Sequence, residues 1–472
     1  MKRTKIVATM GPASSDKEVL REMMVNGLNV CRLNFSHGSH EVHEKTIKTI
    51  RELNTETGYH IAILADLQGP KIRTGKMEAN GVDLIVGSEV IIVTDAILGT
   101  ANKFSINYLD LPKDVDPGER ILLDDGKLML EVISTNKTDE IKAKVLHGGI
   151  LSSHKGVNFP NTSISMPCLT EKDLMDLEFA LEQNVDWVGL SFVRSGADII
   201  ELKGLIDAKG SFAKVIAKIE KPEAIKDIDN IIKESHGIMV ARGDLGVEIP
   251  YQNVPLIQKM LITKCKSYAK PVIVATQMME SMIDNITPSR AEVNDVANAV
   301  LDGADAVMLS GETSVGKYPI EVIKTMANIV KEIETFEGIY NKEEAPEKDQ
   351  TRFITDSICF NAVRLSRLVE ADAILTMSFT GYTGYKVASQ RPKAAIYVFT
   401  SNKQILTQLN LVWGVKGIYY DKTESTDNTI MEIKAILKNK EILKENDLVI
   451  NIASMPIEAH GNSNMIKLSH VE

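Results

Sequence analysis

Eight short runs rich in apolar and β-branched residues, at 4–9, 29–33, 61–65, 187–191, 215–219, 237–241, 272–276 and 306–310, alternate with stretches of helical character. That alternation leaves few folds open. Runs this apolar read as parallel strands buried on both faces, and eight β-α units close into a (β/α)8 barrel of the TIM type. The helix punctuation agrees: Ser15-x-x-Glu18 and Ser289-x-x-Glu292 read as capping boxes, and Pro222 and Pro319 suit first helical turns.

The gap between the third and fourth runs, from 65 to 187, is far longer than a βα loop plus a helix requires. Something is inserted there. Residues 70–167 contain β-rich runs at 82–94, 121–133 and 141–146, punctuated by Gly81, Gly87, Asp124-Asp125-Gly126 and Gly148-Gly149. This predicts a small antiparallel β-barrel domain of hairpins, leaving from the C-terminal end of strand three and overhanging the active face as a lid. After a last barrel helix at 320–337, the charged stretch 341–349 reads as a linker. A helix at 353–370 and strands at 373–379, 395–400, 417–420, 448–453 and 465–469 then predict an open α/β sheet. The expected division is a catalytic barrel from 1–69 and 168–340, a lid at 70–167, and a C-terminal α/β domain at 350–472.

At 472 residues the chain has ample length for such an arrangement. Its formal net charge of −10 disfavours nucleic acid and anionic membranes as partners, while leaving room for a local basic pocket. Cys31, Cys168, Cys265 and Cys359 are scattered without a C-x-x-C pair, which predicts a reduced, intracellular compartment. The opening Met-Lys-Arg-Thr-Lys carries no apolar leader, and no run approaches the ~20 apolar residues of a membrane helix, so a cytoplasmic location is expected.

Charged residues gather at one end of the predicted strands. Arg32, Asn34 and Ser36 lie at the end of strand two, Asp66 after strand three, Lys218 and Glu220 at strand five, Asp244 after strand six and Thr276 at strand seven. The C-terminal strand ends carry barrel active sites. Two hard carboxylates, Glu220 and Asp244, suit Mg²⁺, with Mn²⁺ able to substitute. A lysine beside them suits phosphoryl transfer, which depends on positive charge around the migrating group.

The motifs Cys31-Arg-Leu-Asn-Phe-Ser-His-Gly38, Leu67-Gln-Gly-Pro-Lys-Ile-Arg73, Lys155-Gly-Val-Asn158, Ile216-Ala-Lys-Ile-Glu220, Ala241-Arg-Gly-Asp244, Ala275-Thr-Gln-Met278 and Met308-Leu-Ser-Gly-Glu-Thr313 occur in this order. With them the chain resembles the pyruvate kinases over nearly its whole length. The resemblance implies transfer of a phosphoryl group from phosphoenolpyruvate to ADP, giving pyruvate and ATP. It assigns the substrate phosphate to Arg32, the phosphoryl group in flight to Lys218, Mg²⁺ to Glu220 and Asp244, and the substrate carboxylate to the amides of Gly243 and Asp244. Thr276 would lie near the methylene carbon that is protonated. Asn34, His37, Arg73 and Lys155 would contact the nucleotide phosphates. A homotetramer is also implied.

Two further family sites are altered here. Many pyruvate kinases hold K⁺ with residues matching Asn34, Ser36, Asp66 and the position of Leu67, together with a glutamate where Lys71 stands. Leu67 removes a hydroxyl and Lys71 replaces a negative charge with a positive one, so no K⁺ requirement is expected. The segment 376–384, with Ser378, Thr380, Gly381 and Thr383, matches the loop that binds a phosphorylated allosteric effector in the family. Tyr382 stands where a cationic residue is often found.

Two decoys are set aside. Gly311-Glu-Thr-Ser-Val-Gly-Lys317 lacks the hydroxyl a P-loop needs, because Tyr318 follows. His37, His40 and His43 lack zinc-site spacing and a fourth ligand, and suit the first turn of a helix better. The competing functional readings are another phosphoenolpyruvate- or pyruvate-handling barrel, a lyase or mutase that would need no nucleotide lid, and a metabolite-sensing scaffold without catalysis.

Overall fold

The computed structural model describes residues 2–160, 162, 164–348, 351–422, 425–455 and 462–472. The last linker residue, Asp349, and the first residue of the expected C-terminal domain, Gln350, lie outside the described residues. Eight parallel strands close a barrel: Lys5–Thr9, Val30–Asn34, Ala62–Asp66, Trp187–Leu190, Lys214–Ile219, Gly237–Ala241, Val272–Ala275 and Ala306–Leu309. Each lies within a residue of its predicted run. Almost every strand residue is buried, because the helices cover the outer face while Val7, Leu64, Trp187, Ile216, Met239 and Met308 fill the interior.

The helix starts divide. Ser289 accepts from the Glu292 amide and Glu292 answers to the Ser289 amide, the reciprocal box expected. Pro222 and Pro319 each open a helix, as predicted. Ser15 does not cap. The helix Lys17–Val25 is capped by Asp16, whose carboxylate accepts from the amides of Glu18 and Val19, while the Ser15 hydroxyl donates to Gly11 O. Two cap-capable residues are adjacent there, and the carboxylate gains from the helix dipole.

The insertion splits more finely than its hydrophobic runs suggested. Residues 82–94 give two strands, Val82–Leu84 and Glu89–Val93, parted by a turn with Gly87 in the left-handed region. Residues 121–133 break at Asp124-Asp125-Gly126, all three at positive φ. The result is a six-stranded sheet plus a two-stranded ribbon of Val82–Leu84 and Gly149–Leu151. The pairing is antiparallel except at one edge, where Glu89–Val93 runs parallel to Lys103–Ser105. The C-terminal sheet has four parallel strands and an antiparallel edge, Met465–His470.

Strand five, which carries the central site residues, is fixed at its start by His236. Nδ1 of His236 accepts the Val215 amide at 3.0 Å, which requires that nitrogen to be unprotonated. Burial, with help from Lys214 and Lys270, depresses its pKa to about 3. A base depressed from 6.5 in the unfolded chain contributes stability above that pH and loses it progressively as pH falls toward the folded value. We expect the melting temperature of the wild type to fall between pH 6.5 and 5. In His236→Asn, whose side-chain oxygen can accept the same amide, the fall should be clearly shallower by differential scanning fluorimetry.

Candidate active site

Three carboxylates and two cations converge at the C-terminal ends of strands two, three, five and six. Lys218, the fifth residue of the strand Lys214–Ile219, points its ammonium into the barrel mouth. Nζ lies 2.9 Å from Glu220 Oε1 and 3.3 Å from Asp66 Oδ1, and donates to Ser191 Oγ at 2.7 Å. Burial works against its charge, but Asp66 and Glu220 outweigh that cost and hold its pKa above the ordinary lysine value. The two carboxylates thus favour the ammonium form of Lys218.

Asp66 joins the two cations. Its Oδ2 takes Arg32 Nε and Nη2, each at 2.6 Å, while Arg32 Nη1 donates to Thr9 Oγ1 at 2.8 Å. Burial opposes ionisation of Asp66, yet Lys218 and Arg32 keep its pKa below the usual range. Strand four makes room for this carboxylate with Gly189, where an added Cβ would sit 3.0 Å from Asp66 Oδ1.

Glu220 is almost fully buried. Its Oε2 accepts the Phe192 amide at 2.9 Å, while Oε1, beside Lys218, makes no well-directed hydrogen bond. Burial raises its pKa, Lys218 opposes, and the negative charge of Asp244 adds to the rise. Asp244 lies in the first turn of the short helix Arg242–Glu248, which follows strand six directly.

The remaining predicted residues fall as follows. Thr276 closes strand seven in the left-handed region, at φ 70°. Its hydroxyl donates to Ala275 O at 2.6 Å and accepts the Gly243 amide at 2.8 Å, so the amide expected to receive a substrate carboxylate is engaged within the site. Asn34 sits 3.3 Å from His37 Nδ1, and its Oδ1 accepts the Ser36 amide. On the lid, Arg73 bridges to Gly156 and donates to His154 O at 3.1 Å, while Lys155 pairs with Asp124 at 2.9 Å. Leu67 is buried. Lys71 is half-buried and lines a narrow cavity between lid and barrel with Asp244, Lys221 and Arg194.

Both decoys resolve. Residues 311–314 form one helical turn after strand eight, and Lys317 pairs with Asp284 at the surface. Among the described residues no group of three or more His, Cys, Asp and Glu could hold a metal, and His40 and His43 start the helix His40–Thr57. His37 precedes that helix and stays with Asn34.

Sequence reasoning missed three contributors. Ser191 ends strand four and links Lys218 to Leu67 O. Arg242 grips Asp295 with two bonds of 2.7 Å and also donates to Thr276 O at 2.8 Å, fixing the loop after strand seven against the helix that carries Asp244. Arg242 stands inside the motif Ala241-Arg-Gly-Asp244, in which the sequence signal falls on the glycine and the aspartate. Glu248, at the end of that helix, takes Lys221 and the lid residue Asn158. Nothing in its local sequence separates it from a surface glutamate.

The C-terminal loop joins the first strand of its sheet to a helix. Gly381, at φ 78°, caps the helix Tyr382–Ser389, and Ser378, Thr380 and Thr383 line a cavity of about 240 Å³. The Tyr382 hydroxyl donates to Asp356 at 2.7 Å, and the Arg352 guanidinium lies 4.3 Å from the Tyr382 ring centroid. A cation is thus supplied from a neighbouring element.

A buried ammonium and guanidinium among carboxylates at the C-terminal mouth of a parallel barrel, beneath an inserted lid, define the active face of a barrel enzyme. The comparisons give the family. The model described as pyruvate kinase, barrel domain, matches residues 1–323, and that for the pyruvate kinase alpha/beta domain matches 356–469. The chain is 43% identical over 471 residues to a pyruvate kinase of Geobacillus stearothermophilus, covering 99% of this chain and 80% of that one. It is 42% identical over 475 residues to the pyruvate kinase of Clostridium acetobutylicum, with both chains covered fully. A crystal structure of a pyruvate kinase from Cryptosporidium parvum superposes with a TM-score of 0.93 at 35% identity, covering 100% of this chain and 96% of the other. The chain belongs to the pyruvate kinase family.

Proposed function

We propose that the chain transfers the phosphoryl group of phosphoenolpyruvate to ADP, forming pyruvate and ATP, at the cluster of Arg32, Asp66, Lys218, Glu220 and Asp244. The observation that carries this reading is the Lys218 ammonium, placed between the carboxylates of Asp66 and Glu220. The other phosphoenolpyruvate-handling readings and the inert scaffold do not agree with the family.

A divalent metal fits the donors. Glu220 Oε1 is a buried acceptor without a directed hydrogen bond, and Asp244 is near enough to raise the pKa of Glu220. Two carboxylates leave most of an octahedral shell to water and substrate, as Mg²⁺ prefers, with Mn²⁺ able to substitute. When bound, the ion supplies positive charge to the phosphoryl and enolate oxygens.

Arg32 binds the substrate phosphate from the second strand, and Lys218 faces the group in flight. Both are oriented by Asp66, so they need not reorganise during transfer. Gly243 and Asp244 offer amides to the substrate carboxylate once Thr276 releases the first of them. The Thr276 hydroxyl is committed to Ala275 O, so it acts by orienting the loop, and it reaches the methylene carbon only after rotating. Asn34, His37, Arg73 and Lys155 bind the nucleotide phosphates, Lys155 after exchanging Asp124 for them. The lid then excludes water from the two phosphates.

We carry three further readings from the family. The chain works as a homotetramer, it acts in the cytoplasm, and the cavity under Thr380 takes a phosphorylated effector through Arg352 and the loop amides. Among the described residues no helix is long and apolar enough to cross a membrane.

Lys218→Met should lower turnover by at least ~10²-fold, the scale of one preorganised electrostatic contact, while retaining Mg²⁺-dependent proton exchange at the methyl carbon of pyruvate. Asp244→Ala should lose both. A coupled assay for pyruvate and an NMR assay of deuterium uptake separate the outcomes. Near-normal turnover in Lys218→Met would remove its role, and robust turnover in Asp244→Ala would remove the ligand.

The monovalent site gives a second test. Both oxygens of Asp66 face cations, Leu67 offers no hydroxyl, and among the described residues nothing pairs with the Lys71 ammonium, which stands at the cavity. We expect near-full activity without Na⁺ or K⁺ at matched ionic strength, and a Lys71→Glu variant that needs K⁺. A wild-type rate rising ~10-fold or more on adding K⁺ would show that the site is intact and Lys71 idle.

A further inference from the structure

Glu248 is buried at the end of the helix Arg242–Glu248, and it is one point where lid and barrel are tied. Its Oε1 accepts two donors. One is Lys221 Nζ at 2.5 Å, from the residue directly after Glu220. The other is Asn158 Nδ2 at 2.8 Å, from the strand by which the lid returns to the barrel. Oε2 has no partner among the described residues. A buried carboxylate with one free oxygen is costly unless its existing bonds are retained.

The lid's other end meets the same place. Gly69, at φ 71°, precedes the lid, and an added Cβ there would sit 2.7 Å from Phe192 Cδ2. Phe192 is itself at φ 57°, and its amide donates to Glu220 Oε2. The Lys221 ammonium lies 5.8 Å from the Phe192 ring centroid. Hinge and return strand therefore both converge on the residues flanking Glu220.

We propose that Glu248 is a positioning residue that latches the lid through Asn158 and, by holding Lys221, keeps a second ammonium off Glu220 Oε1, which already faces Lys218. Lid docking and presentation of the Glu220 carboxylate are then one event. The proposal rests on the reading that Arg73 and Lys155 on the lid take the nucleotide, and on Glu220 as a metal ligand.

Hydrogen–deuterium exchange on the full chain tests the latch without either reading. Asn158→Ala should exchange faster than wild type at residues 70–75 and 155–159, with the barrel strands unchanged. Equal exchange at those segments would overturn the proposal. In steady-state kinetics the same variant should raise the KM for ADP by ~10-fold, the scale of one hydrogen bond to a charged group, with kcat and the KM for phosphoenolpyruvate within ~2-fold. Faster exchange with an unchanged ADP KM would keep the latch and remove the nucleotide role of the lid. Glu248→Leu should raise both the ADP KM and the half-saturating Mg²⁺ concentration. Adding Lys221→Met should return the Mg²⁺ requirement to within ~2-fold of wild type and leave the ADP KM high. A double variant with the Mg²⁺ requirement of Glu248→Leu would overturn the coupling to Glu220.

Discussion

The contact of Lys218 with Asp66 and Glu220 is the constraint around which the barrel mouth is arranged. A lone ammonium or carboxylate in this buried setting would cost several kcal/mol, and only mutual pairing with further hydrogen bonds makes the burial tolerable. Each member accordingly has its support: Ser191 Oγ for Lys218, Arg32 for Asp66, the Phe192 amide for Glu220. With Asp244 the cluster has three carboxylates and two cations. An excess of negative charge of this kind makes room for a bound cation, and the same ammonium and guanidinium stand ready for a substrate phosphate.

How much of this could be read in the sequence follows from how local each signal is. The eight barrel strands were legible because burial on both faces leaves runs with almost no polar residue until the strand end, where charges then stand out. Lys218, Glu220 and Asp66 were found for that reason. Asp16 displaced Ser15 as a cap because two suitable side chains were adjacent and the outcome depended on which carried charge. The lid was read as three long runs rather than shorter strands, since positive-φ residues such as Asp124 and Asp125 can sit inside an otherwise β-rich stretch. Arg242, Ser191 and Glu248 were missed because their partners, Asp295, Leu67 O and Asn158, are remote in the chain, and only the closed barrel brings them together.

The two appended domains use opposite ends of the barrel. The lid leaves after Asp66, at the end where strands two, three and five present their charged residues. The C-terminal domain docks at the other end: Arg391 pairs with Asp305 at 3.1 Å just before strand eight, and Thr407 donates to Asp186 just before strand four. Leu411 reaches the barrel's inner core beside Trp187. The active face is thereby left free for substrates and for a moving cover.

This division dictates how the two domains can influence each other. Asp186 fixes the start of strand four and also accepts the Ile63 amide at the start of strand three. Those same two strands end in Ser191 and Asp66, both in contact with Lys218. A displacement of the C-terminal domain at Asp186 must therefore travel along close-packed strands to reach the ammonium, and close-packed interiors transmit strain rather than absorb it. The lid is connected at the far end of the same path through Gly69 and Phe192. Lys218 thus sits where one route of packed strands from the C-terminal domain meets one of the lid's two connections to the barrel.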